Sequence, residues 1–268
     1  MLLHKSSGVL NASLRSQLLL PGSLSGAGLE AIHLLGGSAV TSCLNLAPPQ
    51  SGVAATQGMI PVGAVSFANA TYASLPGAAS GIAPSLLSPY FETADMTLCM
   101  AVRSSGTFTG SNLLIYANTF ANDTGQSGSP AVGTQLKFSP NLTVATSWSA
   151  SGSTGNQNLP AITAAAAVEG NWHWLTLKVN STTRQVTVAN VTAGLSGSMT
   201  ASGSNPRNPN GTVPFSFGAQ AASGALQQPC DIAAIVYFTR ALAADEDALL
   251  YQTFGQLLAG LSSDAIII

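Results

Sequence analysis

Apolar and polar positions alternate most clearly over residues 95–103. Met96, Leu98, Met100 and Val102 fall on one side, and Thr97, Cys99 and Ala101 on the other. A period of two marks a β-strand with one face turned to a core. Stretches of the same β-rich character lie at 112–117, 142–148, 172–179, 184–190 and 232–238, punctuated by Gly/Ser/Asn runs such as 122–129 and 202–211. Many short strands with such punctuation predict an antiparallel sandwich, not βαβ units. One stretch has a helical period instead. Leu250, Phe254, Leu257, Leu258 and Leu261 share one side of a helix, and Asp245, Glu246 and Asp247 ahead of them complement a helix N-terminus.

The two ends of the chain break the pattern. Before Leu44, short apolar pieces at 16–20 and 29–35 are separated by Gly and Pro, and the second could make two helical turns ended by Gly36-Gly37. Two readings of residues 1–44 stand: an arm that docks on a neighbour, or the first strand and turn of the main domain. The main domain is expected over 45–259. Residues 260–268 form an apolar tail, whose Ile266, Ile267 and Ile268 ask for a covering surface. Gly, Pro, Ser and Asn interrupt every apolar run well before the roughly 18 residues of a membrane span. Asn11, Ser13 and Arg15 interrupt the opening segment, so a non-secreted N-terminus is expected.

Charge changes the picture most. Only 7% of residues are charged, against about 25% in ordinary globular chains. With 8 basic and 10 acidic residues and a net charge of -2, no basic stripe is available to neutralise phosphates, which excludes nucleic-acid binding of the electrostatic kind. Catalytic constellations are equally scarce. His173 stands between Trp172 and Trp174 with no nucleophile in a recognisable relation to it. Alternation puts both tryptophans on one strand face, so truncating either is expected to have the same effect. Glu92 and Asp95 fall on opposite strand faces, which does not suit a pair of glycosidase carboxylates, and no Gly-x-Ser-x-Gly occurs. Asp123 and Asp231 are isolated acids. No enzyme activity, cofactor or metal is expected. Cys43, Cys99 and Cys230 lack any CxxC spacing and read as buried free thiols, with one disulfide plus an orphan as the alternative. The Asn-x-Ser/Thr sequons at Asn11, Asn69, Asn122, Asn141, Asn180, Asn190 and Asn210 read as chance in a chain this rich in those residues.

The order of elements from about residue 169 to 258 resembles the laminin-G-like, concanavalin A-like jelly roll. The resemblance rests on Glu-Gly-Asn-Trp-His-Trp at 169–174, the strand pair 175–180 and 184–190, and Pro-Phe-Ser-Phe-Gly at 214–218. It continues through 232–242, which ends Arg240-Ala241-Leu242, and the acidic helix at 243–251. Upstream, 65–75 looks like an early strand pair. The resemblance implies an all-β antiparallel sandwich with a short C-terminal helix. Where that family often caps the helix with Ser or Thr, this chain has Ala243-Ala244, a loss worth about 1 kcal/mol. Lectin-like members imply a carbohydrate rim, for which Trp148, Tyr116 and Asn118 are candidates. Phage tail, baseplate and fibre proteins resemble the charge-poor profile. The leading expectation is therefore a non-enzymatic phage virion protein, a homotrimer or ring joined through its termini to other virion proteins and touching a host-surface glycan. The alternative is a monomeric, stand-alone bacterial carbohydrate-binding module.

Overall fold

The computed structural model describes residues 20–22, 24, 28–47, 58–77, 84–104, 114–119, 133–138, 141–148, 156–162, 170–218, 228–260 and 266–268. The first half holds β1 (Leu29–Leu34), the short α1 (Ala39–Ser42), β2 (Ile60–Val62), β3 (Ala73–Leu75), β4 (Ser85–Leu87), β5 (Met96–Ser104), β6 (Leu114–Asn118) and β7 (Thr134–Phe138). Then come β8 (Leu142–Ser147), β9 (Asn156–Ile162), β10 (His173–Asn180), β11 (Gln185–Asn190), β12 (Leu195–Thr200), β13 (Ser216–Phe217), β14 (Cys230–Phe238) and α2 (Ala244–Ala259). The strands make two seven-stranded antiparallel sheets. One runs β1-β14-β5-β10-β11-β12, with β3 also paired to β14; the other runs β2-β4-β13-β6-β7-β8-β9. The expected all-β sandwich with a C-terminal helix is the fold observed.

The first sheet is covered on both sides. On its inner face Met96, Leu98 and Met100 of β5 and Leu175, Leu177 and Val179 of β10 share a core with Tyr116, Leu136, Val144 and Phe217 of the second sheet. On its outer face Cys99, Ala101, Trp174, Val236 and Phe238 meet Leu250, Phe254, Leu257 and Leu258 of α2. Double coverage explains why β14 reads as a continuous apolar run and is buried along its whole length. A bulge near Ala233 shifts the alternation, so that Ile232 and Ile235 both point inward.

Helix α2 compensates for its missing side-chain cap with an acid. Glu246 accepts from the Ala243 backbone N–H at 2.9 Å and takes both Nη atoms of Arg240 at 2.7 Å. The Arg240 guanidinium pulls the Glu246 carboxyl down to about 2. Among the described residues no helix is long and apolar enough to cross a membrane.

Three expectations change here. The sandwich starts upstream of residue 45, because Leu29–Leu34 pairs with Ala234–Phe238 of β14 and is a strand, not a helix or an arm. Residues 1–19 lie outside the described residues. The apolar tail needs no neighbour for Ile266, which is buried, or for Ile268, which packs against the α2 cluster and accepts the Tyr251 hydroxyl at 3.1 Å. The cysteines are free and buried, as the first reading had them. Asn190 and Asn210 are buried too, so neither sequon can accept a glycan in the folded chain.

The segment between β12 and β13 crosses from one sheet to the other and is tied down by a buried ion pair. Arg207 Nη2 donates to Glu92 Oε2 at 3.1 Å and to Thr134 Oγ1 at 2.7 Å, with the two charged side chains 1% and 0% exposed. Thr119 Oγ1 donates to the same carboxylate oxygen at 3.1 Å, and the Asn210 backbone N–H donates to the other. Asn210 Nδ2 in turn reaches the Thr119 carbonyl at 2.6 Å.

Two outcomes follow. Removing one charge strands the other in the interior, so Glu92→Gln or Arg207→Met should each lower stability by about 3–5 kcal/mol, while Glu92→Leu/Arg207→Met should cost much less than the sum. Urea unfolding of the set checks this. His33 is fully buried, its Nε2 3.1 Å from the Tyr90 hydroxyl, and desolvation pulls its pKa from 6.5 down to about 4. Between those values the unfolded chain binds the extra proton, so stability falls as pH drops from about 6.5 toward 4. His33→Gln should flatten that slope in urea midpoints taken across the window.

Candidate functional site

The rim expected from Tyr116, Asn118 and Trp148 is not at the surface. All three side chains are buried. Tyr116 sits in the inter-sheet core, where desolvation pushes its phenol far up. Asn118 accepts from Gln135 Nε2 at 3.2 Å. Trp148 is 1% exposed, its Nε1 donates to Thr146 Oγ1 at 2.7 Å, and the Arg184 and Arg207 guanidinium carbons lie 5.0 and 5.9 Å from its ring centroid. The second sheet's inner face and the crossover segment account for their burial. They are structural residues.

The surface cluster that does form lies on the outer face of the first sheet. Ser74 of β3 is opposite Asp231 of β14, and Asp231 is opposite Arg103 of β5. Trp172, one residue ahead of β10, stands next to Arg103. Three positions thus form a row across neighbouring strands, extended by Trp172, with Tyr72 just ahead of β3 leaning over it. Arg103 donates from Nε and Nη2 to Asp231 Oδ2 at 3.0 and 2.6 Å, and Ser74 Oγ donates to Oδ1 at 2.7 Å. The guanidinium carbon lies 4.9 Å from the Tyr72 ring centroid and 4.8 Å from that of Trp172. The two rings meet edge-on at 5.4 Å. Partial burial pulls the Arg103 guanidinium pKa down, but the Asp231 carboxylate and the Tyr72 hydroxyl outweigh it and the net shift is upward. Asp231 is buried, whereas Tyr72, Arg103 and Trp172 are half-exposed.

Local backbone chemistry holds each aromatic in place. Asn69 Oδ1 accepts from the Thr71 N–H at 2.9 Å and the Thr71 hydroxyl at 2.8 Å, a side-chain turn that aims the chain into β3. Gly36, at φ 122°, packs so closely on this segment that a Cβ would sit 2.6 Å from the backbone nitrogens of Thr71 and Tyr72. Only glycine fits there. Across the sheet, Gly170 N–H bonds the Ser104 carbonyl at 3.0 Å, which docks the approach to Trp172 onto β5.

Other concavities and clusters offer less. A cleft of about 320 Å³ between β10, β11 and the start of α2 is lined by Lys178, Asn180, Gln185, Thr187 and Glu246, with no aromatic among its walls. His173 is buried and hydrogen-bonds Asn190. Among the described residues no group of three or more metal-ligating side chains comes together. What the row of Tyr72, Arg103, Asp231 and Trp172 can do is bind. It presents two partly exposed rings in edge-on contact with a guanidinium beside both, and hydroxyl and N–H groups at their edges. Tyr72 and Arg103 carry no sequence signal that separates them from core strand residues; strand order alone joins them.

No family model matches the chain, and no curated protein matches it. Solved structures do. The botulinum neurotoxin serotype D ligand-binding domain in complex with N-acetylneuraminic acid is 12% identical, with a TM-score of 0.60 over 88% of this chain and 53% of that one. The serotype D binding domain matches at 12% identity and 0.59, over 88% of this chain and 53% of that one. A structure of botulinum neurotoxin type C, whose cell entry depends on interaction with two ganglioside molecules, matches at 11% identity and 0.53, over 86% of this chain and 52% of that one. At such identities the likeness is one of fold. The chain spans about half the length of these neighbours.

The two tryptophans separate at this point. They share the outer face, as alternation predicts, but only Trp174 is fully buried, its ring 5.1 Å from Phe254, while Trp172 is partly buried at the margin of the same cluster. Trp174→Ala should cost about 3–5 kcal/mol. Trp172→Ala should cost about 1 kcal/mol, near the average for point mutations. Thermal unfolding of the two variants side by side checks the difference.

Proposed function

We propose that this chain is a non-enzymatic, lectin-like module that binds glycans on the outer face of its first sheet. The observation that carries the reading is the half-exposed pair Tyr72 and Trp172, fixed edge-on at 5.4 Å around Arg103. Aromatic faces carry negative potential and receive the C–H-lined face of a sugar ring. Tyr, Trp and Arg are also the residues most enriched at binding hot spots. A rigid platform of this kind has already met part of the ordering cost of binding, because Arg103, Asp231 and Ser74 are bonded to one another before any ligand arrives. Solved structures that share the fold include a neurotoxin ligand-binding domain in complex with N-acetylneuraminic acid and a type C neurotoxin whose cell entry depends on two ganglioside molecules. They support the reading at the level of the scaffold. The matched region is about half of each neighbour, so their ligands carry no residue assignments to this chain.

The particle-component reading loses part of its support, because Ile266 and Ile268 pack within the domain while Ile267 stays exposed. The carbohydrate-binding alternative is the better supported of the two, through the fold it shares with neurotoxin binding domains.

A glycan array probed with the purified chain, Tyr72→Ala and Trp172→Ala tests the proposal, with circular dichroism as the control on folding. The parent chain should bind a defined glycan class. Each variant should lose about tenfold or more in affinity, the size expected for truncating a hot-spot aromatic. A folded parent chain that binds no glycan, or variants that bind undiminished, would refute it.

A further inference from the structure

A sheet edge with open backbone groups is a template for one more strand, and folded chains usually guard it. The edges of the second sheet carry Pro61 in β2 and Pro160 in β9, residues that cannot donate to a ladder. At one side of the first sheet β1 and β3 are both covered. Asn45 accepts the Ile32 N–H at 3.0 Å and donates to the Glu30 carbonyl at 2.9 Å, while the Leu46 N–H donates to the Ile32 carbonyl at 2.7 Å. Ser66 exchanges both backbone bonds with Ser74 of β3, at 2.9 and 2.8 Å. β12, on the opposite side, has no such guard. Among the described residues its one strand partner is β11, and the register runs unbroken from Leu195 to Thr200. No proline and no charged residue occurs from 185 to 205.

The Ala201 N–H donates to the Arg184 carbonyl at 2.8 Å, so the hydrogen-bonded pairs with β11 fall at Met199–Val186, Gly197–Val188 and Leu195–Asn190. The backbone N–H and C=O groups of Ser196, Ser198 and Thr200 therefore point away from the sheet, and all three residues are exposed. On the inner side of the same strand Leu195 and Met199 are 37% and 46% exposed, next to the buried Val186 and Val188 of β11. We infer that β12 is the docking edge for a second copy of this chain, paired antiparallel across a two-fold axis at Ser198. In that register every outward residue finds a partner. Ser198 meets its own copy and Ser196 meets Thr200 of the second copy, each pair exchanging two bonds, about six in all. Hydroxyl faces hydroxyl on the outer side, a favourable cross-strand combination. On the inner side the long Met199 falls opposite Gly197 of the second copy, and the exposed Leu195 and Met199 of the two copies meet diagonally across the axis. Neither copy brings a charge to the edge, so nothing opposes their approach. This self-match in hydrogen bonding, side-chain size and charge is the requirement of an isologous interface, and it selects a copy of this chain over a foreign strand. The axis stands perpendicular to the sheet, so the outer faces of both copies turn the same way.

Sedimentation velocity on the full chain, from about 1 µM to about 200 µM, tests the pairing. A six-residue ladder with a small apolar patch belongs among the smaller, weaker interfaces. The parent chain should therefore dimerise with a dissociation constant on the order of 10 µM. Ser198→Pro removes an outward N–H without touching the β11 ladder, and it should weaken the dimer about tenfold or more. Two double variants test the register. Ser196→Lys/Thr200→Lys sets like charges opposite each other at both ends of the ladder and should leave monomer across the range. Ser196→Lys/Thr200→Glu sets opposite charges face to face at the same positions and should keep the parent's affinity or better it. Circular dichroism controls for folding. The two double variants alter the same exposed positions, so their difference decides the matter even if Ser198→Pro does not fold. A parent chain that stays monomeric at about 200 µM would overturn the inference, and so would a dimer indifferent to all three variants. Equal loss of dimer in both double variants would overturn the register.

Discussion

A carboxylate and a guanidinium closed off from water fasten two loops, each running from one sheet to the other, onto the second sheet. Glu92 precedes β5 in the first sheet, Arg207 belongs to the crossover that leads to β13 in the second, Thr119 follows β6 and Thr134 opens β7. Their hydrogen bonds tie the two loops to the paired strands β6 and β7. Such a pair is a poor source of net stability, since desolvating two ions offsets most of their attraction. What it supplies here is uniqueness. A crossover made of Ser, Gly, Asn and Pro has no apolar pattern to define where it should lie. One charge that must find one partner defines it instead. Arg184 reinforces the arrangement by donating to the carbonyls of Ala201 and Ser202.

How far α2 reaches decides which part of the first sheet's outer face stays open. The helix lays Leu250, Phe254, Leu257 and Leu258 over the middle of the outer face and stops there. Beyond its cover lie Trp172, Arg103, Asp231 and Ser74, on strands whose opposite faces are packed into the inter-sheet core. A side chain presented from a strand buried on its other face has little freedom to move, which is the condition for a pre-organised site. The aromatic–cation cluster is therefore as rigid as the sheet beneath it.

Much of the fold was legible in the sequence, and the reasons are local. The alternation from Met96 to Val102 and the stripe from Leu250 to Leu258 each depend on one element and one core, so periodicity reports them directly. β1 was harder to see. It is a sheet-edge strand, and His33, a polar residue whose ring is buried against Tyr90, interrupts its apolar pattern. The binding residues were not legible at all. Alternation says which residues share a face, but not which face stays open. Tyr116 and Trp172 look alike in sequence; one is sealed against the first sheet and the other is only partly covered, at the margin of the cluster under α2. The row from Ser74 through Asp231 and Arg103 to Trp172 exists only because β3, β14, β5 and β10 are neighbours, an order that no local signal encodes.

The scarcity of charge then takes on a different meaning. A surface short of charge first suggests permanent assembly, since free monomers rely on charge for colloidal stability. In the folded chain, however, Arg103, Arg207 and Arg240 are each bonded to an acid, Lys178 lies 3.9 Å from Asp247, and Arg184 is bonded to backbone carbonyls. These charges serve as internal fasteners in a fold with few disulfide or metal alternatives. A chain that uses its ions this way has little field left to steer charged partners from a distance. Recognition must then come from shape, stacking and hydrogen bonds at short range. Under the proposed function the half-exposed aromatics around Arg103 would supply those contacts, and a chain this rich in Ser, Thr and Asn needs little charge to stay wetted by water or by the hydroxyls of a sugar.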